Sequence, residues 1–272
     1  DGSNIQTDQE WCVSKDGTRI PLFVVHKKDA KLDGNNPTLL FGYGGFYVAM
    51  TPTWDAAAAV WVEQGGVFAM ANLRGGSEFG ENWHRAGMLQ NKQNVFDDFT
   101  AAAQWLITRR YTNPKRLAIR GTSNGGLLMS SVLTQHPELF RAVLIGFPDL
   151  DMIRFNTFTK TNNMPALLEY GNASMDDQFQ FLRRYSPYQA VKDGTPYPAV
   201  MISSGDLDTR VPPLQARKFT ARLQGATSSG LPVILHYRPK AGHAAEHGLS
   251  VSQNIEDNAM QLTFLFEMVG FH

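Results

Sequence analysis

Leu117-Ala118-Ile119-Arg120-Gly121-Thr122-Ser123-Asn124-Gly125-Gly126-Leu127-Leu128 passes from a short apolar run, through Gly-x-Ser-x-Gly, into a second apolar run. Leu117–Arg120 reads as a buried strand and Gly125–Thr134 as a helix, which puts Ser123 on the turn between them. A strand-to-helix turn this sharp strains the serine's backbone, and the residues two before and two after it must be glycine or very small. Gly121 and Gly125 meet that demand. The helix behind the turn aims backbone N–H groups at the serine and favours negative charge there. Glycine and serine also build ordinary flexible loops; the flanking strand and helix favour a nucleophile turn.

Outward from this turn, strands and helices alternate. Trp11–Val13 and Ile20–His26 flank Lys15-Asp16-Gly17 and predict an opening hairpin. Thr38–Phe41, Gly66–Ala71, Ala142–Gly146, Ala199–Ser203 and Val233–Tyr237 predict further strands. Helices are predicted over Thr53–Gln64 (Trp54, Ala58, Trp61 and Val62 inward), Asn94–Arg109, Pro212–Leu223 and Ile255–Met268, the last with Met260, Phe264 and Met268 at spacings of four. The pattern predicts one α/β domain over residues 1–272, of the α/β-hydrolase type: a mostly parallel central sheet with helices on both faces. Phe155–Tyr185 breaks the alternation and reads as an insertion of short helices over one edge of the site.

With 43% apolar residues in 272, the chain can build its core without a metal or disulfide staple, and no cofactor is called for. Its 25 basic and 25 acidic residues cancel, so it lacks the field of a nucleic-acid or anionic-membrane binder. Cys12 is the sole cysteine and, within Gln9-Glu10-Trp11-Cys12-Val13, reads as a packed thiol. A disulfide-free chain fits the cytoplasm, although periplasmic proteins lack disulfides too. No apolar run approaches the ~20 residues that span a bilayer, and no signal peptide is visible. The chain opens at Asp1 rather than Met, as expected if an N-terminal portion has been removed.

A serine hydroxyl needs a histidine to take its proton and a carboxylate to orient that histidine, in the chain order Ser, Asp or Glu, His. His136 falls at a helix end and His236 within a strand. His243, in Lys240-Ala241-Gly242-His243, follows the last strand in a small-residue loop and is the favoured base; nearby His247 is the alternative. Asp206 and Asp208 both lie beyond the strand Ala199–Ser203, at the carboxyl edge where open sheets place ligands. Asp208 is favoured as the acid by its spacing to Val211-Pro212, with Asp206 expected to brace the loop through backbone amides. Phe41-Gly42-Tyr43-Gly44-Gly45-Phe46 follows an early strand where an oxyanion loop belongs; the Tyr43 phenol and the Asn124 backbone N–H are its expected donors.

These residues carry a resemblance to the catalytic domain of the prolyl oligopeptidase family. It runs through Ser14–Thr18, Phe41–Phe46, Ala71–Gly80, Asn91–Asn94 with Asp97-Asp98-Phe99, the Ser123 turn, Arg184–Pro187, the Asp208 loop and Lys240–His243. The resemblance implies a peptidase acting on short peptides, with Ser123, Asp208 and His243 as its triad and Tyr43 and Asn124 at the oxyanion. It implies that Arg210 binds a substrate carbonyl, the other reading being a surface salt bridge. Phe46, Val211 and Tyr170 would line the specificity pocket, unless they serve only the core. Two positions depart from the family: Ala166 replaces a tryptophan that stacks on proline, and Asp149 replaces an apolar pocket residue. Weaker proline preference follows, with Asp149 expected either in water or beside a base such as Arg154. The family's N-terminal β-propeller has no counterpart in this sequence. A carboxylesterase using the same triad on short acyl esters is the alternative function.

Overall fold

The structure, a computed structural model, describes residues 2–158, 163–243 and 250–271. Eight strands form one sheet: β1 (Ile5–Val13), β2 (Arg19–Lys27), β3 (Thr38–Phe41), β4 (Val67–Ala71), β5 (Leu117–Thr122), β6 (Ala142–Gly146), β7 (Ala199–Gly205) and β8 (Val233–Arg238). Their spatial order is β1-β2-β4-β3-β5-β6-β7-β8. The β1–β2 hairpin pairs antiparallel, β2 joins β4 antiparallel, and every pairing from β4 through β8 is parallel.

Side-chain alternation divides the central strands between two cores. Leu40, Ile119, Val143, Ile145, Val200 and Ile202 face one side, while Leu39, Ala118, Ala142, Leu144, Ala199 and Met201 face the other. The first side is covered by α3 (Gln93–Thr108), α4 (Asn124–Gln135) and α9 (Leu214–Ala226) through Phe96, Phe99, Val132 and Phe219. The second is covered by α1 (Ala56–Glu63) and α10 (Val251–Val269) through Trp61, Leu262, Leu265 and Val269. A parallel sheet buried on both faces is the α/β-hydrolase arrangement expected from the sequence.

Boundaries shift for local reasons. Helix α1 starts at Ala56 rather than Thr53 because the Asp55 carboxylate caps it, accepting from the Ala57 and Ala58 amides. Trp54 therefore lies outside the helix, 82% exposed, instead of in the core. Helix α10 starts at Val251, where Ser250 and Gln253 form a capping box. Its buried stripe is Leu262, Phe264, Leu265 and Val269; Met260 is exposed and Met268 only partly covered, so the expected Met260–Phe264–Met268 face is rotated. The short helix α2 (Glu81–Arg85) had no signal strong enough to be read from the sequence. Within the anticipated insertion lie α5 (Phe155–Phe158), α6 (Met164–Tyr170) and α7 (Asp176–Tyr185), followed by α8 (Pro187–Ala190). Cys12 is buried as expected, and burial pushes its thiol up to about 12, which leaves it inert.

One buried network ties several of the matched motifs together. Asp98, fully buried on α3, accepts from the Ser14 hydroxyl at 2.6 Å and from Arg74 Nη2 at 2.6 Å. The hairpin turn, the segment after β4 and α3 are thereby locked in place.

Candidate active site

Ser123 sits between β5 and α4 with φ 59° and ψ −117°. A non-glycine residue held in this region costs ~1–3 kcal/mol, strain that concentrates at functional turns. Its N–H donates to the Gly146 carbonyl at 2.8 Å, and its own carbonyl accepts from the Leu127 N–H of α4. The flanking glycines are required by close approach. A Cβ on Gly121 would lie 2.4 Å from the Gly125 carbonyl oxygen, and one on Gly125 would lie 2.8 Å from that of Gly42.

Three sheet-end loops converge here. His243 Nε2 is 2.9 Å from Ser123 Oγ, and His243 Nδ1 is 2.8 Å from Asp208 Oδ2. The carboxylate of Asp208 fixes the tautomer: Nδ1 carries the proton and Nε2 is free to accept one from Ser123. The other oxygen, Asp208 Oδ1, accepts from the Arg210 N–H at 3.0 Å and the Val211 N–H at 2.8 Å. Bracing of this loop, expected of Asp206, thus falls to Asp208 itself. Asp206 is exposed, with no side-chain hydrogen bond among the described residues. Of the other histidines, His136 ends α4 beside Glu138, and His236 on β8 faces Asp257. His247 lies outside the described residues.

The loop after β3 is held from behind. Asn124, buried at the start of α4, donates from Nδ2 to the Tyr43 carbonyl at 2.6 Å and accepts the Tyr170 hydroxyl at 3.0 Å. Lys92 Nζ donates to the Gly44 carbonyl at 3.0 Å and to Glu169 Oε1 at 3.0 Å, while Glu169 Oε2 meets His84 Nε2 at 2.8 Å. Both successive carbonyls of the Tyr43–Gly44 turn are therefore pinned by buried side chains. Phe46 and Tyr47 complete the loop at φ 55° and 59°, a second strained segment. Sequence reasoning assigned no role to Lys92 or Glu169. The only signal for Lys92 was its place in the matched Asn91–Asn94 stretch, since a fully buried lysine contradicts the general rule for that residue, and Glu169 carried none.

Tyr170 packs edge-on against Phe46 at 5.4 Å and against Phe155 at 5.8 Å, and Val211 and Ala166 are buried. Arg210 is exposed and joins no ion pair among the described residues. Asp149 does not meet Arg154. That arginine pairs instead with Asp151, which also takes Lys218. Asp149 Oδ1 accepts from Gln215 Nε2 at 3.4 Å. Burial, with the charge of Asp208 added and that of His243 opposing, pushes the Asp149 carboxyl up to about 7.

A carboxyl whose folded-state pKa exceeds its unfolded value of about 3.9 stabilises the fold at low pH and loses that contribution as pH rises through the folded pKa. Wild-type stability should therefore fall between pH 4 and about 7 by an amount that Asp149→Asn abolishes. Thermal unfolding of both proteins across this window is the check; parallel profiles would contradict the burial argument.

The sequence profile described as the prolyl oligopeptidase family matches residues 52–272. The chain is 41% identical over 267 residues to a prolyl endopeptidase of Elizabethkingia miricola, covering 97% of this chain and 37% of that protein. It is 42% identical to an uncharacterised peptidase of Sinorhizobium fredii, covering 98% of this chain and 36% of the other. It therefore spans little more than a third of the length of these curated relatives. Among solved structures, one of two prolyl endopeptidases studied for inter-domain dynamics superposes with a TM-score of 0.96 at 45% identity, over 100% of this chain and 40% of that one. Oligopeptidase B of Leishmania major superposes with a TM-score of 0.93 at 30% identity, over 100% and 37%.

Proposed function

Because this chain belongs to the prolyl oligopeptidase family, we propose that it is the catalytic portion of a serine peptidase that cleaves short peptides through an acyl-enzyme on Ser123. The observation that carries this reading is the continuous hydrogen-bonded line Ser123–His243–Asp208 at the carboxyl edge of the sheet. Ser123 Oγ passes its proton to His243 Nε2 and bonds the substrate carbonyl carbon, whose oxygen becomes an oxyanion held by the Tyr43 phenol and the Asn124 N–H. The imidazolium, stabilised by Asp208, returns the proton to the leaving amine as the C–N bond breaks. Water then repeats the sequence on the ester and releases the acid. Arg210, exposed and without a side-chain ion pair among the described residues, is suited to a substrate carbonyl, and Phe46, Tyr170 and Val211 to the acyl-side side chain.

Residues 1–272 are read as a single catalytic domain. The unmatched remainder of the relatives supports a longer enzyme in which the family's propeller accompanies it. Among the described residues no helix is long and apolar enough to cross a membrane. A cytoplasmic setting is the reading that the single buried thiol supports. Comparing kcat/KM on a peptide amide with proline on the acyl side and on a short-chain ester tests the assignment. Amide cleavage is expected, and ester cleavage without it would make the chain a carboxylesterase.

Tyr43→Phe should lower kcat by ~10²–10³ with little change in KM, because the phenol's hydrogen bond strengthens as the oxyanion forms. A change confined to KM would place Tyr43 in ground-state binding. Specificity should be broader than strict proline preference. Ring stacking and burial on a tryptophan contribute ~1–3 kcal/mol, and Ala166 supplies neither. Matched proline and alanine substrates should differ in kcat/KM by less than about 10³. A larger ratio would show that another aromatic, Tyr170 foremost, holds the ring.

A further inference from the structure

The triad chemistry leaves unused a polar pocket on the other side of the nucleophile turn, between the ends of β5, β6 and β7 and helix α10. Its volume is about 160 Å³, and its polar walls include Arg120, Thr122, Ser203, Arg238, Asn258 and Gln261. A space of that size holds several waters and has room for an anion the size of phosphate.

Arg238 is the group the fold leaves incomplete. Its side chain is 9% exposed, and Nη2 reaches Asp257 Oδ2 at 2.8 Å. Nε, buried, has no hydrogen-bond partner among the described residues. Buried guanidinium donors without acceptors are costly and rare, so this one needs an explanation. The surrounding charges do not supply one. Arg120 is occupied by Asp55 at 2.6 Å, and Asp257 also faces His236 at 3.7 Å. Burial and the neighbouring Arg238 lower the pKa of His236, which favours its neutral form. The two carboxylates and two guanidiniums balance, and the wall adds N–H donors able to turn toward an oxyanion: the Arg238 Nε–H, the remaining Arg120 N–H groups, and the amide NH₂ groups of Asn258 and Gln261. Several N–H donors around a small volume are the chemistry of oxyanion recognition.

We propose that this pocket binds a small oxyanion, a phosphate or a free carboxylate, with Arg238 as its principal donor. The site borders the triad. Its floor is Gly121, Thr122 and Gly146, the backbone that leads into Ser123 and accepts the Ser123 N–H. The Phe147 ring, also in the wall, lies 5.5 Å from the Arg238 guanidinium and 5.9 Å from the His243 ring. One side chain thus separates the occupant from the catalytic base.

Isothermal titration of the protein with inorganic phosphate, and separately with acetate, at fixed ionic strength tests this. Saturable binding of one anion per chain is expected, weakened at least about tenfold, the equivalent of one good charged hydrogen bond, in Arg238→Gln. Gln261→Met, which removes an amide donor from the pocket wall at nearly constant volume and touches no ion pair, should weaken binding likewise and guards against misfolding of the arginine variant. Tighter phosphate assigns a tetrahedral anion, tighter acetate a carboxylate. Arg210→Met, at the triad mouth, should bind as wild type. Binding that never saturates, that survives both pocket variants, or that is lost only in Arg210→Met would overturn the proposal.

Discussion

Ser123→Ala is expected to lower hydrolysis on the order of 10⁴-fold or more while the fold persists. The turn is built by backbone contacts the hydroxyl does not make: the Ser123 N–H to Gly146, the Ser123 carbonyl to Leu127, and the close passage of Gly121 and Gly125. Alanine keeps the left-handed strain at φ 59°, so its melting temperature should stay near wild type. Ser123→Gly should be equally inactive yet melt higher than the alanine variant, because glycine occupies that region without penalty. Retained turnover in either variant would remove Ser123 from the chemistry.

Asp208→Asn should cost about 10⁴ in kcat at neutral pH, for a reason the geometry makes specific. The asparagine oxygen can still accept the Arg210 and Val211 amides, which keeps the loop in place. Its NH₂ then faces His243 Nδ1, donor against donor. The imidazole answers by taking the opposite tautomer, with Nε2 protonated toward Ser123 and unable to accept a proton. Asp206→Asn, on an exposed side chain, should change neither kcat nor stability beyond about 0.5 kcal/mol. Kinetics and thermal melts on both variants decide it; the reverse pattern would transfer the acid role to Asp206.

Much of the framework was legible because it is local and periodic. The β3, β5, β6 and β7 runs show their two-sided burial as continuous apolar stretches, and Gly-x-Ser-x-Gly marks the turn by the absence of side chains at two positions. Asp208 and His243, proposed as acid and base, were reachable from chain order and loop position, and the fold places both in line with Ser123. Other features depended on partners distant in sequence. Asp55 carried a visible capping signal that the apolar spacing of Trp54 and Trp61 obscured. The rotation of α10 depended on which of its faces met Leu39 and Leu144 across the sheet. Lys92 and Glu169 lie 77 residues apart, and only the fold brings them together beneath Gly44. Arg154 was expected beside Asp149 because it is close in sequence, but Asp151, three residues away on the same turn, captures it.

Reaction with a fluorophosphonate tests the central claim most directly, since the reagent bonds only to a serine activated by a correctly placed base and oxyanion site. Peptide mapping after labelling should find one modified residue, Ser123, with labelling lost in His243→Ala. Modification of another serine, or labelling of Ser123 at the same rate without His243, would contradict the account.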